Sequence, residues 1–202
     1  MKQYCVPYCG EKTVCWEKVP ALKVDIPMEK SEISFDTQAQ LCWKEDGLYG
    51  RLQILEPDYL ARFTGDCDPV WQDSCLEMFF CPEAEDARYF NFECNPNGAT
   101  FFGIGLGRVD RLRLHPWNIR ERLSIRPFTV DGGWGVCFCI PVEVIRLFFP
   151  GFTLHEGHRM RGNFYTCGDD VKPMHELVWS PITNGKSDFH QSEFFGELLL
   201  TK

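Results

Sequence analysis

No stretch of this sequence approaches the run of roughly 18 apolar residues that a membrane-spanning helix needs, so no membrane partner is expected. The N-terminal MKQYCVPYCGEKTVCW has neither an apolar core nor a small-residue cleavage site of the secretory kind, and the expectation is a cytoplasmic protein. Runs of lysine and arginine are also missing. The formal net charge is -8, and the basic residues nearest to a cluster are the spaced Arg108, Arg111, Arg113, Arg120, Arg122 and Arg126. A phosphate backbone would be repelled, and nucleic acid is not expected as a partner. Beside Trp117 these arginines could form an anion-binding patch, but a solvated face is the plainer reading.

Catalytic signatures are equally scarce. GxSxG, HExxH and the phosphate-binding P-loop are all absent. Gly103, Gly105 and Gly107 imitate a dinucleotide turn only in part, because the third glycine falls at the wrong spacing; a twisted strand end or bulge explains them better. Five histidines are scattered, and only His155 and His158 lie close together. Cysteine is plentiful, at eleven, but the number is odd and no paired CxxC occurs. Cys137 and Cys139 fall on one face of a strand, too close for an easy bridge, so reduced thiols are expected. Cys5, Cys9 and Cys15 are read as buried, inert thiols rather than metal ligands. Neither a repeat nor a low-complexity segment nor a linker divides the chain. Residues 1–202 are therefore taken as one domain, with 1–30, carrying Pro7, Pro20 and Pro27, as an irregular lead-in.

What is present favours pleated strands. Hydrophobic residues make up 44% of the chain, with 17 Phe and 6 Trp, enough for a sizeable core. From Gln38 onward, short apolar runs alternate with turn signals: AQLCW, LYGRLQIL, CLEMFF (Cys75 to Phe80), RYFNFECN (Arg88 to Asn95), ATFFGI (Ala99 to Ile104) and GGWGVCFCI (Gly132 to Ile140). Asn95-Pro96-Asn97-Gly98 and Asp131-Gly132-Gly133 are turns, and Leu123 to Val130 is the expected hairpin partner of the last run. Pro141 introduces the one expected short helix, with Val142, Ile145, Leu147 and Phe148 facing a core. Many strands, one helix and no βα alternation give an all-β, antiparallel two-sheet sandwich of the jelly-roll or immunoglobulin-like kind.

Period-2 alternation separates the faces of the central strands. Leu76, Met78 and Phe80 point one way and Cys75, Glu77 and Phe79 the other; Phe90, Phe92 and Cys94 oppose Tyr89, Asn91, Glu93 and Asn95. If these strands pair, Glu77, Asn91 and Glu93 share one surface. Two carboxylates there could act as an acid and base in glycoside hydrolysis, or simply decorate a solvated sheet face. An open face does not split carboxyl pKa values as catalysis requires, which argues against an enzyme. Trp71 and Trp179, each beside a strand, fit either a core plug or a ligand surface.

Three stretches together resemble the carbohydrate-binding module family 9-like domains: VWQDSCLEMFFCPE with RYFNFECNPNGA; WGVCFCIPVEVI; and GNFYTCGDD, HELVWSPI and SDFHQSEFFGELLL. The resemblance runs in order from about residue 35 to the C-terminus. It implies a two-sheet sandwich that binds a mono- or oligosaccharide without transforming it, and a glycan-degrading, for example xylan-degrading, enzyme as partner. It further implies a sugar clamped between Trp71 and Trp179, with Glu77 at the acidic strand position. Asn91, Glu93 and His175 join the candidate site on strand alternation and proximity to Trp179. The family's sugar site includes an arginine on the second hairpin strand, where this chain has Asn91 to Glu93, with Arg88 just outside. No cofactor is expected apart from a structural calcium, for which Asp66, Asp68 and Asp73 are the candidates.

Overall fold

The computed structural model describes residues 2–10, 13–114 and 119–202. In chain order the strands are β1 (Gln3–Pro7), β2 (Leu22–Lys23), β3 (Ile26–Pro27), β4 (Thr37–Lys44), β5 (Gly47–Ile54), β6 (Cys75–Cys81) and β7 (Tyr89–Cys94). They continue as β8 (Thr100–Gly105), β9 (Arg111–Arg113), β10 (Arg126–Val130), β11 (Gly133–Pro141), β12 (Arg159–Cys167), β13 (Glu176–Val178) and β14 (Gly196–Thr201). Among the described residues, two helical turns, α1 (Ile119–Arg122) and α2 (Val142–Arg146), and three short 3-10 turns complete the regular structure.

The larger sheet runs β1-β14-β12-β6-β7-β8-β9, with β13 and β3 attached beside β12. The smaller runs β10-β11-β5-β4-β2. This is the expected sandwich, and the strands foreseen between Gln38 and Ile140 form within a few residues of their expected bounds. At the turn between β7 and β8, the Asn95 side-chain oxygen accepts from the backbone N–H groups of Asn97 and Ala99, while Gly98 supplies the positive φ of +75°.

Three local expectations fail. The lead-in is not irregular throughout: β1 pairs in parallel with β14, so the sandwich is not purely antiparallel, and β2 and β3 extend the sheets at their margins. β1 earns its place by alternation, since Tyr4 and Val6 bury while Gln3 and Cys5 face outward. The helix after Pro141 ends at Arg146 and leaves Leu147 74% exposed rather than in the core. Cys5 and Cys15 are exposed, not buried. All eleven cysteines are free thiols.

The main core lies between the sheets. Leu76, Met78, Phe80, Phe90 and Phe92 from the larger sheet meet Trp134, Val136, Phe138 and Ile140 of β11. Phe92 stacks on Phe138 at 4.2 Å between ring centroids. Each such side chain contributes about 1.5–3 kcal/mol by leaving water.

The outer face of the larger sheet is covered as well. Phe79, Tyr89, Phe101 and Tyr165 form a second apolar cluster with Val70, Phe189 and Phe195 from the overlying loops. Tyr165 stacks on Phe189 at 4.3 Å, and its hydroxyl donates to the Phe189 carbonyl, so the loop around residue 189 is pinned to the sheet. That cover turns a sheet surface into the wall of a cleft.

Candidate functional site

The alternation of β6 and β7 puts Glu77 and Glu93 on the covered outer face, where they are direct cross-strand partners. Glu77 is 3% and Glu93 2% exposed, so these are not residues of a solvated face. Both line a cleft of about 240 Å³ that opens between the sheet and the loops above it. The sandwich therefore encloses the carboxylates that an open-face reading exposed to water.

Their surroundings differ. Glu93 Oε1 accepts from Asn91 Nδ2 at 2.6 Å and from Arg111 Nη1 at 3.2 Å, the latter a buried ion pair. Its Oε2 is buried with no hydrogen-bond partner among the described residues. Glu77 Oε1 accepts from the Cys167 thiol at 3.0 Å. Burial, and then the charge of Glu93, push the Glu77 carboxyl well above the usual carboxylate range. Burial raises Glu93 too, against the opposing pull of Arg111. Arg111 therefore favours the anion at Glu93, and of the two carboxyls Glu77 is the one pushed harder toward its protonated form.

The arginines come from the β8–β9 hairpin, and the sequence set them aside as solvated. Gly103 and Gly105 of β8 pair with Arg113 and Arg111 of β9. A Cβ on Gly103 would stand 2.7 Å from Asn91 Oδ1, so the glycine is what lets Asn91 lie flat on the sheet and reach Glu93. Arg111 and Arg113 lie over the Phe101 ring at 4.4 and 5.4 Å, which fixes both guanidinium groups at the cleft wall.

His190 was also missed. Arg111 Nη1 lies 3.3 Å from its Nε2 and the Tyr89 hydroxyl 2.7 Å from its Nδ1. An arginine can only donate, so Nε2 accepts, and the neutral ring carries its proton on Nδ1 toward Tyr89. Burial and then Arg111 and Arg108 push the His190 pKa down to about 3, in keeping with that neutral tautomer. Arg108 pairs with Asp188 at 3.0 Å across the rim.

Trp71 sits in the 3-10 turn Val70–Gln72 and lines the cleft, partly exposed, with its indole edge-on to Phe101 at 5.8 Å. Its backbone carbonyl accepts from Asp169 N–H at 3.1 Å, which ties the turn to the end of β12. Trp179 is elsewhere. It is 4% exposed, belongs to the inter-sheet core, and packs edge-on to Phe164 at 5.9 Å. A Cβ on Gly196 would meet its ring at 2.5 Å, so that glycine leaves the indole its space. The two tryptophans lie on opposite faces of one sheet, and Trp179 has no free face for a sugar.

His175 is likewise displaced from the site. It is fully buried against Phe35, with its Nδ1 4.0 Å from Glu56 Oε1, and does not line the cleft. Nearness in sequence to Trp179 misled, because both residues face away from the outer surface. Asn91 remains close to the cleft, but acts behind Glu93 by holding its Oε1.

The proposed calcium ligands do not suit that ion. Asp73 accepts from Arg62 Nε and from the N–H groups of Arg62 and Phe63, Asp66 pairs with Arg120, and Asp68 accepts from Gly65 N–H. These carboxylates are spread over separate protein donors rather than converging as an oxygen cage.

Comparison with known proteins agrees with this architecture. A protein from Bacteroides uniformis ATCC 8492 assigned to carbohydrate binding superposes with a TM-score of 0.82 at 25% identity, covering 98% of this chain and 99% of that one. A carbohydrate-binding module of family 9 from Caldicellulosiruptor kristjanssonii, in complex with glucose, superposes with a TM-score of 0.68 at 16% identity, covering 99% and 96%. The same kind of module from that organism, in complex with cellotriose, gives 0.67 at 16% identity, covering 99% and 94%. None of the curated proteins matches in sequence. The profile of carbohydrate-binding family 9 matches residues 8–200, which takes in every residue of the cleft, and the chain belongs to that family of non-catalytic, carbohydrate-binding modules.

Proposed function

We propose that the chain binds a single hexose or the end of a short glucan in the cleft beside Trp71, and leaves it chemically unchanged. The observation that carries this reading is the convergence of a partly exposed indole and two buried carboxyl groups on one small cleft. A pyranose ring has an apolar C–H face and a polar rim; Trp71 suits the first, and Glu77, Glu93 and Arg111 suit the second. Glu77, pushed toward its protonated form, offers a donor as well as an acceptor, while Glu93, held by Arg111, offers an acceptor whose Oε2 has no donor among the described residues.

One indole rather than two takes part in this site. The volume of about 240 Å³ suits one ring with its hydroxyl groups, so a longer chain extends into solvent. The solved relatives in complex with glucose and cellotriose support a ligand of this class. Such sugars are products of glycan breakdown, and that is the process this chain is proposed to serve.

Contact with one aromatic face and a few hydroxyls should give a Kd of roughly 10 μM to 1 mM, about -4 to -7 kcal/mol. Titration calorimetry against glucose, xylose, cellobiose, cellotriose and xylobiose tests it, with Trp71→Ala as the control. Binding by at least one of these sugars, lost in Trp71→Ala, is the expected result. Silence across the panel, or unchanged binding in Trp71→Ala, would remove the cleft as the sugar site.

A further inference from the structure

At the floor of the cleft two cysteines that sugar binding does not require lie beside Glu77. Cys75 of β6 and Cys167 of β12 are direct register partners, and Glu77 follows two residues after Cys75 on the same face. One sulfur from each cysteine and a carboxylate oxygen of Glu77 all lie within 4.8 Å of one another, and all three residues are buried. The Cys167 sulfur is already 3.0 Å from Glu77 Oε1. We propose that Cys75, Cys167 and Glu77 form a binding site for a thiophilic divalent cation such as zinc, opening onto the cleft.

The donor set selects the ion. Two sulfurs and one carboxylate oxygen suit zinc, while calcium and magnesium prefer oxygen donors alone. Tetrahedral zinc, with bonds of about 2.3 Å to sulfur and 2.0 Å to oxygen, holds its ligand atoms about 3.5 Å apart, so small side-chain rotations close the group. Three protein ligands leave a fourth position. Glu77 and Cys167 both line the cleft, so that position faces it, and it is also the route of entry.

A second observation points the same way. Glu93, the cross-strand partner of Glu77, presents a buried Oε2 that no group among the described residues satisfies. A water on the metal is the kind of donor that oxygen lacks. Binding displaces the two thiol protons and the Glu77 carboxyl proton, so three neutral groups become a cluster of single net negative charge. Glu77 then ceases to be a hydrogen-bond donor, and the metal changes what the cleft floor offers a hydroxyl group. This site stands independently of the sugar reading.

The test uses cobalt(II) alone as probe, on the full chain under reducing, anaerobic conditions. Cys5 and Cys15 are exposed and Cys9 partly so, and these would bind metal adventitiously, so the background carries Cys5→Ser, Cys9→Ser and Cys15→Ser. One equivalent should bind with a thiolate-to-cobalt charge-transfer band in the near ultraviolet. Cys167→Ser in that background should weaken binding by more than ~100-fold and abolish the band, and Glu77→Gln should weaken it ~10–100-fold. Native-state alkylation mapped by mass spectrometry supplies a readout free of any folding defect: zinc should slow labelling of Cys167 in the unsubstituted chain. Absence of the band in the background protein, unchanged binding in Cys167→Ser, or labelling of Cys167 indifferent to zinc would each overturn the site.

Discussion

Glu77 and Glu93 face each other across β6 and β7, both buried, yet only Glu93 has a cationic partner, Arg111 at 3.2 Å. Two carboxylates so placed cannot both ionise at little cost, and the asymmetry decides which one holds the proton. It also decides how each responds to substitution.

Glu93→Gln removes the countercharge of Arg111, whose side chain is only 11% exposed, and leaves a nearly buried guanidinium unpaired. The expected cost is about 3 kcal/mol. Glu77→Gln replaces a neutral acid by a neutral amide of the same shape and should cost about 1 kcal/mol or less. Urea denaturation of the two variants checks the order. Equal losses would mean that the charges are shared differently.

The same pair predicts a titration. Burial is the largest cause of the raised Glu77 pKa and the charge of Glu93 the next. Glu93→Gln should therefore bring the Glu77 pKa down, while burial keeps it above the ordinary carboxylate value. Carbon-13 NMR of the glutamate carboxyls follows this directly. An unmoved Glu77 resonance would mean that Glu93 is neutral in the folded protein.

Much of this geometry was legible in the sequence, and the misreading of the carboxylate face has a definite cause. Period-2 alternation put Glu77, Asn91 and Glu93 on one surface and Phe90 and Phe92 on the other, because a strand's side chains must alternate. Alternation tells which side a residue occupies, but not whether loops far along the chain return to cover that side. Phe189 and Phe195 do return, and the face expected to be wet is dry. His190 reaches the cleft through that same tertiary closure, which left no local signal, whereas Arg111 reaches it on the local β8–β9 hairpin, signalled only by the glycines of β8. Trp179 failed for a different reason: an indole beside a strand has the same local pattern whether it faces the core or a ligand, and only the packing against Phe164 and Gly196 separates the two.

The tryptophans should accordingly behave in opposite ways. Trp71→Ala removes a partly exposed cleft wall and should abolish sugar binding while costing about 1–2 kcal/mol of stability. Trp179→Ala empties a core position and should cost about 3–5 kcal/mol, with sugar binding retained by whatever fraction stays folded. Calorimetric titration with glucose and cellotriose, paired with urea unfolding, separates the two roles. Loss of binding in a well-folded Trp179→Ala would restore the two-indole clamp.

His175 gives the protein an acid sensitivity with a defined window. Burial against Phe35 lowers its pKa from 6.5 to about 4, outweighing the backbone hydrogen bond at Pro173 that raises it. Above pH 6.5 the ring is neutral in both the folded and the unfolded chain, so it contributes no pH dependence there. Between pH 6.5 and about 4 the unfolded chain takes up a proton that the folded chain refuses, and stability falls as the pH falls. From pH 7 to pH 5 this amounts to about 2 kcal/mol, and below pH 4 the loss from this residue levels off. His190, with its pKa lowered to about 3, acts in the same direction, so the contribution of His175 is read by difference. His175→Gln cannot titrate in this range, and the drop in urea midpoint between pH 7 and pH 5 should shrink by the equivalent of about 2 kcal/mol relative to the unsubstituted protein. If the two proteins lose stability in parallel over that interval, His175 is protonated in the fold and paired with an ionised Glu56.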